Sequence, residues 1–337
     1  MSCTLAWAEI NGWQALRLSN SLIEVTVLPK KGADIYSFVD VPSGLDILLK
    51  TPWGLQPPDA PARPGSGRDA FLHNYEGAWQ ELFPNTGPAC IYNGIEVPLH
   101  GEVATLPWKT TIEREAPDEI RVCFDVQCRQ RPLSLTRRMR LAGDSGTLTI
   151  DEVVRNTSDK TELFVWGHHP VLGAPFIEAG CQLRTDNCTV YTLDAPFDPR
   201  GASYASGQCA PWPYIRGVNG QEIDLRLIPG ADANTHDHAC LTDLRRGWVE
   251  VENPRLGVLF SLEWDAELFR WINNWRPFGG VRIASLQGIY GLAIEPWSSQ
   301  SNLVAAVMSG TAMWIAGRGA LKTSLKATLS SLGRHNT

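Results

Sequence analysis

Leu22-Ile23-Glu24-Val25-Thr26-Val27 alternates its outer residues with β-branched apolar ones, and Pro29 and Gly32 follow close behind. A period of two closed by Pro and Gly marks a half-buried strand ending in a turn. The pattern recurs in 120–128, 147–155, 162–166, 248–252, 258–264 and 321–329. Turn-forming residues separate the runs, as in Asn156-Thr157-Ser158-Asp159, Asn253-Pro254 and Phe278-Gly279-Gly280. No segment reads as a helix of more than three turns. Many strands spaced by turns predict an all-β protein of large antiparallel sheets, a sandwich or barrel. One domain over residues 1–337 is the economical reading, because no low-complexity linker and no solenoid repeat interrupts the chain.

The segment 52–75 breaks this rhythm. It carries Pro57-Pro58, Pro61, Pro64, Gly65 and Gly67 with almost no periodicity, and it leads into Trp79-Gln80-Glu81-Leu82-Phe83-Pro84-Asn85. A connection of that length in a compact domain is functional or disordered, and a loop at the rim of a site is the favoured expectation.

Composition narrows the function classes. The formal net charge is −6, from 30 Lys and Arg against 36 Asp and Glu, so no broad basic field exists to hold nucleic acid. The densest basic stretch places Arg137, Arg138 and Arg140 among Met139 and Leu141, which reads as a solvated strand face in preference to an anionic-ligand site. The eight cysteines show no C-x-x-C pair and no zinc spacing. With no signal-like start and no apolar run of membrane-spanning length, a reducing cytoplasm, no membrane partner and a monomer or homodimer are the default expectations. No G-x-G-x-x-G, P-loop or G-x-S-x-G element points to a nucleotide cofactor or a serine hydrolase.

Four segments interrupt apolar runs with titratable groups. In Phe164-Val165-Trp166-Gly167-His168-His169-Pro170, strand alternation lets only one of the two histidines face a given cavity, and Pro170 suits a strand end opening onto a pocket. Ile289-Tyr290-Gly291-Leu292-Ala293-Ile294-Glu295-Pro296-Trp297 ends an apolar run in a carboxylate beside an aromatic, where desolvation would raise the Glu295 pKa toward that of a general base. Pro98-Leu99-His100-Gly101-Glu102 joins a histidine to a glycine that permits close backbone approach. Thr235-His236-Asp237-His238 sets two imidazoles on one strand face, which admits a metal site, although no carboxylate follows at short spacing and none is favoured. Thirteen tryptophans suit a pocket that stacks on sugar rings, though most belong to the core.

Taken in order, these segments resemble the aldose 1-epimerase family, whose fold is the galactose mutarotase-like β-supersandwich. Leu82-Phe83-Pro84-Asn85 is similar to its P-N element, Leu99-His100-Gly101 to its H-G element and His169-Pro170 to its catalytic histidine strand. Asp237-His238 is similar to a D-H element, and Ala293-Ile294-Glu295-Pro296-Trp297 to the strand bearing the catalytic glutamate. The resemblance implies Glu295 as general base, His169 as general acid, His100 as a supporting hydrogen-bonder near the ring oxygen and Asp237 as a ligand of sugar hydroxyls, with no cofactor. His168 then belongs to the opposite face. Trp79, Gln80, Asn85 and Trp297 complete the expected substrate-binding set around a small-molecule sugar. At working pH the expectation is a protonated His169 and an ionised Glu295.

One departure bears on the substrate. Where many members carry Arg after the P-N pair, this chain has Thr86-Gly87, leaving Arg68 and Arg276 as substitutes. Two other readings stay open: a non-catalytic sugar-binding protein, and lyase or glycosidase chemistry. Hydrolysis needs a second carboxylate roughly 5–9.5 Å from the first, for which Glu81 and Glu102 are the nearby candidates.

Overall fold

The computed structural model describes residues 2–67 and 69–332. Every run identified by alternation lies in a strand, with bounds that shift by one or two residues: Ile23–Leu28, Glu119–Gln127, Thr147–Asn156, Gly247–Asn253, Val258–Trp264 and Ala320–Ser331. The 162–166 run is strand only over Glu162–Phe164. Among the described residues the α-helices are two short ones, Ala70–Asn74 and Leu303–Ser309, and no helix is long and apolar enough to cross a membrane.

Two large antiparallel sheets carry the architecture. The larger has 13 strands, and its centre runs in the order Trp79–Leu82, Gly167–Gly173, Glu295–Trp297, Trp271–Phe278, Thr235–Thr242. The smaller has eight, including Leu133–Ala142, Thr147–Asn156, Val258–Trp264 and Ala320–Ser331. Their inner faces share one apolar core in which Leu16, Val25, Ile150, Val154 and Leu325 are fully buried. Phe38 of the larger sheet meets Phe260 of the smaller edge-on, with ring centroids 6.2 Å apart. Alternation within each strand supplies these inward faces, and their burial is the main favourable contribution to folding. All eight cysteines are free thiols.

Ionic groups interrupt the apolar layer, Lys31 with Asp34 and Glu76 in one place and a cluster around Arg137 in another. Arg137 lies on the same inward face as Leu135, Met139 and Leu141, so the expected solvated face holds for half-exposed Arg138 and Arg140 and fails for Arg137. Its Nε donates to Glu152 Oε1 at 3.0 Å, its Nη1 donates to the Ala33 carbonyl at 2.9 Å, and its Nη2 pairs with Glu81. His168 Nε2 lies 3.1 Å from Glu152 Oε2. Burial pushes the His168 pKa down, but Glu81 and Glu152 outweigh it and hold the value above its ordinary position. Arg137 and His168 thus face Glu152 and Glu81 across the sheets, with burial and Glu152 pushing the Glu81 carboxyl up to about 7; such pairing is the condition under which buried charge is tolerated.

Removing one partner leaves the others uncompensated. Glu152→Ala is expected to lower unfolding stability by about 3–5 kcal/mol, read from urea denaturation midpoints against an exposed control such as Glu115→Ala.

Candidate active site

The opposite face of the larger sheet bears the titratable residues singled out by the sequence. Antiparallel pairing sets His168 against Glu81 and His169 against Gln80. His168 therefore looks inward to the ionic cluster, and His169 looks outward beside Gln80. On the other side Gly167 pairs with Trp297 and Val171 with Ala293. The shared register brings His169 opposite Glu295 and Pro170 opposite Ile294. Pro170 consequently lies inside its strand and not at the expected strand end. Its missing N–H falls at the break between Gly291–Ala293 and Glu295–Trp297, where only its carbonyl is used, accepting from Ile294 N at 3.0 Å. The next strand continues the face, with Asn273 opposite Glu295 and Trp271 opposite Trp297.

The resulting acid–base pair is close and buried. His169 Nε2 lies 3.6 Å from Glu295 Oε1, with only 5% of His169 and 2% of Glu295 exposed. Burial drives the Glu295 pKa well above the ordinary carboxyl value, with Trp297 pulling weakly the other way. Burial also drives His169 well below 6.5, aided by His100 and His238. The expected ionisation is thus inverted here: burial with no countercharge in contact among the described residues favours the neutral acid and neutral imidazole over the ion pair.

His100 completes the group from a separate loop. Its ring centroid is 5.3 Å from that of His169 and 5.9 Å from that of Trp297. Its Nδ1 bonds the Thr86 carbonyl, which can only accept, so the proton is on Nδ1 and Nε2 is left as an acceptor. Burial lowers its pKa to about 4. Both His100 and Gly101 have positive φ, and a Cβ on Gly101 would lie 2.3 Å from the Phe83 carbonyl oxygen. Only glycine fits at that second position.

Asn85 holds this loop from beneath. Its Nδ2 donates to the carbonyls of Gly87, Pro88 and Pro98 at 3.0–3.1 Å, and its Oδ1 accepts from Leu303 N at 2.8 Å. With its amide fully used, Asn85 positions His100 and keeps no free group for a sugar. Thr86 likewise turns its hydroxyl to the Ser301 carbonyl at 3.2 Å.

The Pro- and Gly-rich segment forms the cover. Asp69 caps the short helix Ala70–Asn74 by accepting from Leu72 N. Phe71 meets His100 at 4.6 Å and His169 at 5.8 Å between ring centroids, and Tyr75 meets His169 at 5.7 Å. Arg63 ties the cover down, stacking 3.5 Å over Trp53 and donating to the Ser285 carbonyl at 2.6 Å. Composition and length pointed to a rim; the aromatic plug was not legible, because its contacts lie on distant strands.

Several expected residues lie elsewhere. Trp79 is buried on the inward face, its Nε1 3.3 Å from His168 Nδ1. Asp237 accepts from Ser203 N, Ser203 Oγ and Tyr204 N at 2.6–3.0 Å, on the face opposite His236 and His238. Arg276 is buried, donating to the carbonyls of Leu225 and Leu227 and to Asn274 Oδ1. Arg68 lies outside the described residues. Glu81 is held by Arg137 and Trp166, and Glu102 accepts from the backbone of Arg129 and Gln130, so neither faces Glu295 as a second carboxylate.

Among the described residues, five buried polar atoms around the pair have no hydrogen-bond partner: His169 Nδ1, Gln80 Oε1, Asn273 Nδ2, Tyr75 OH and Trp297 Nε1. Asn273 could have been suspected as an amide inside the apolar strand Trp271–Phe278, whereas Tyr75 gave no signal. Orphaned polar atoms are costly unless a ligand or water satisfies them, and their convergence on one buried acid–base pair makes this the candidate binding site.

Residues 10–329 match a family described as a domain of unknown function, DUF4432. The chain belongs to that family. No curated protein matches it. Among solved structures, this chain is similar to a candidate aldose 1-epimerase from Klebsiella pneumoniae subsp. pneumoniae MGH 78578, with TM-score 0.73 and 15% identity over 96% of this chain and 82% of that one. It is also similar to a galactose mutarotase-like protein from Clostridium acetobutylicum, with TM-score 0.62 and 13% identity over 98% and 99% of the two chains. A galactose mutarotase related enzyme from Lactobacillus acidophilus gives TM-score 0.63 and 14% identity over 96% and 99%. At these identities the likeness is one of fold, and the fold of this DUF4432 chain is galactose mutarotase-like.

The raised Glu295 pKa has a thermodynamic consequence. The unfolded carboxyl ionises near 4.5, so its contribution to stability is complete below that pH and is lost as pH rises toward the higher folded value. Glu295→Gln is therefore expected to be more stable than the wild type at neutral pH, the gap growing by up to ~1.4 kcal/mol per pH unit across that window. Urea titrations between pH 4 and 8 would reveal it, and a gap that does not change with pH would contradict a Glu295 pKa raised by burial.

Proposed function

We propose that the protein interconverts the α and β anomers of a sugar, opening and reclosing the ring with His169 and Glu295. The observation that carries this reading is an acid and a base 3.6 Å apart, buried among aromatic rings, where Gln80 Oε1, Asn273 Nδ2 and Tyr75 OH lack partners. A polyhydroxylated ring offers matching donors and acceptors along its edge and apolar C–H faces to Tyr75, Trp275 and Trp297.

The pair shares one dissociable proton. In the closed site it rests on Glu295. A sugar bringing a hydroxyl donor to the carboxylate and a ring oxygen to the imidazole favours its transfer to His169. Glu295 then takes the proton of the anomeric hydroxyl, the anomeric oxygen's electrons form the carbonyl, the bond from the anomeric carbon to the ring oxygen breaks, and His169 Nε2 protonates that oxygen. Rotation about the bond to the carbonyl carbon presents the other face. Reclosure with the roles reversed yields the other anomer and restores both groups. His100, whose free Nε2 accepts, would take a neighbouring hydroxyl of the ring.

Exchange NMR or polarimetry on freshly dissolved α-D-glucose and α-D-galactose tests this directly. Acceleration over the buffer rate is expected, with Glu295→Gln and His169→Asn each reducing kcat by about 10²–10⁴-fold. Undiminished acceleration in Glu295→Gln would refute the assignment.

A further inference from the structure

We propose that Asp198 and His236 form a relay that positions the Trp275 indole beside the His169–Glu295 pair; this rests on reading that pair as a sugar site. Asp198 Oδ2 accepts from His236 Nδ1 at 2.7 Å. The same oxygen accepts from the Arg282 backbone N–H at 2.7 Å, which anchors the carboxylate between two loops. A carboxylate on Nδ1 keeps the imidazole proton there and leaves Nε2 as an acceptor. Trp275 Nε1 donates to that nitrogen at 2.6 Å. Burial lowers the His236 pKa, which keeps the ring in the neutral form able to accept.

The surroundings fix the relay's geometry. His236 N donates to the Gly201 carbonyl at 2.7 Å, and Phe197 covers the imidazole edge-on at 4.8 Å. A Cβ on Gly201 would lie 2.8 Å from that of His236 and 2.6 Å from the Gly280 carbonyl oxygen, so glycine allows the Asp198 loop to approach this closely. At its far end Trp275 faces His169 at 6.3 Å and Tyr75 at 6.4 Å between ring centroids. The indole plane beside the acid–base pair is thus set by a carboxylate two residues removed in the hydrogen-bond chain. Neither Asp198 nor His236 touches the reacting atoms; they act through Trp275.

The test compares His236→Leu, which removes the acceptor, with His236→Gln, whose carbonyl oxygen reaches the Nε2 position. The Trp275 indole resonance is assigned in ¹H–¹⁵N spectra by its disappearance in Trp275→Phe. His236→Leu is expected to shift that resonance and to raise KM for the sugar by roughly tenfold, the equivalent of one hydrogen bond's worth of positioning, with kcat changed much less. His236→Gln is expected to restore both. Should His236→Leu fail to fold, Asp198→Ala, which leaves the imidazole in place, is expected to give the same shift in smaller measure. A folded His236→Leu or Asp198→Ala with an unmoved indole resonance overturns the relay, as does a loss confined to kcat. If the wild type accelerates no anomeric exchange, the proposed activity falls, whereas the indole resonance still decides the relay.

Discussion

The pleat of one strand forces His168 and His169 onto opposite faces of the larger sheet, and the two faces are electrostatic opposites. Inward, His168 joins Arg137, Glu81 and Glu152 in a network where every charge has a countercharge. Outward, His169 meets Glu295 among aromatic rings with no cation in contact among the described residues, and both groups are pushed toward neutrality. The inward network locks the strand against the smaller sheet, which fixes the height at which His169 emerges. The site's geometry thus depends on a charge cluster that takes no part in its chemistry.

Much of this could be read from the sequence because it depends on local period. Alternation located the strands, separated His168 from His169 and placed Glu295 at the edge of an apolar run. His100 next to Gly101 signalled a tight backbone approach, and a carbonyl 2.3 Å from the missing Cβ explains it. The unreadable parts depend on where a side chain ends rather than on which face it leaves. Asn85 and Asp237 sit in short polar motifs that suggest ligands, yet both spend their hydrogen-bonding capacity on backbone groups that only the fold brings near. Arg137 reads as a surface charge until a partner on the other sheet is known. Trp275 reads as core until His236 is found beneath its N–H.

The ionisation of the pair belongs to the same class. Residue type alone suggests an ionised glutamate and a charged histidine, but the state is set by solvent access, and access is set by the cover carrying Phe71 and Tyr75. Covering the site removes the water that would support charge. A polar guest restores part of that support, so guest and proton position are linked.

The chamber's groups divide by chain segment in a way that bears on how such a protein can change. Its floor is written on five paired strands whose register cannot slip without reversing every side chain. Its roof is one continuous surface connection, fastened chiefly by Arg63, Trp53 and Asp69. Insertions and exchanges there leave the ladder intact. Acid–base pair and cover therefore occupy separable stretches of the polypeptide, and a new roof grafted onto this floor changes what can reach the pair without disturbing the strands that hold it.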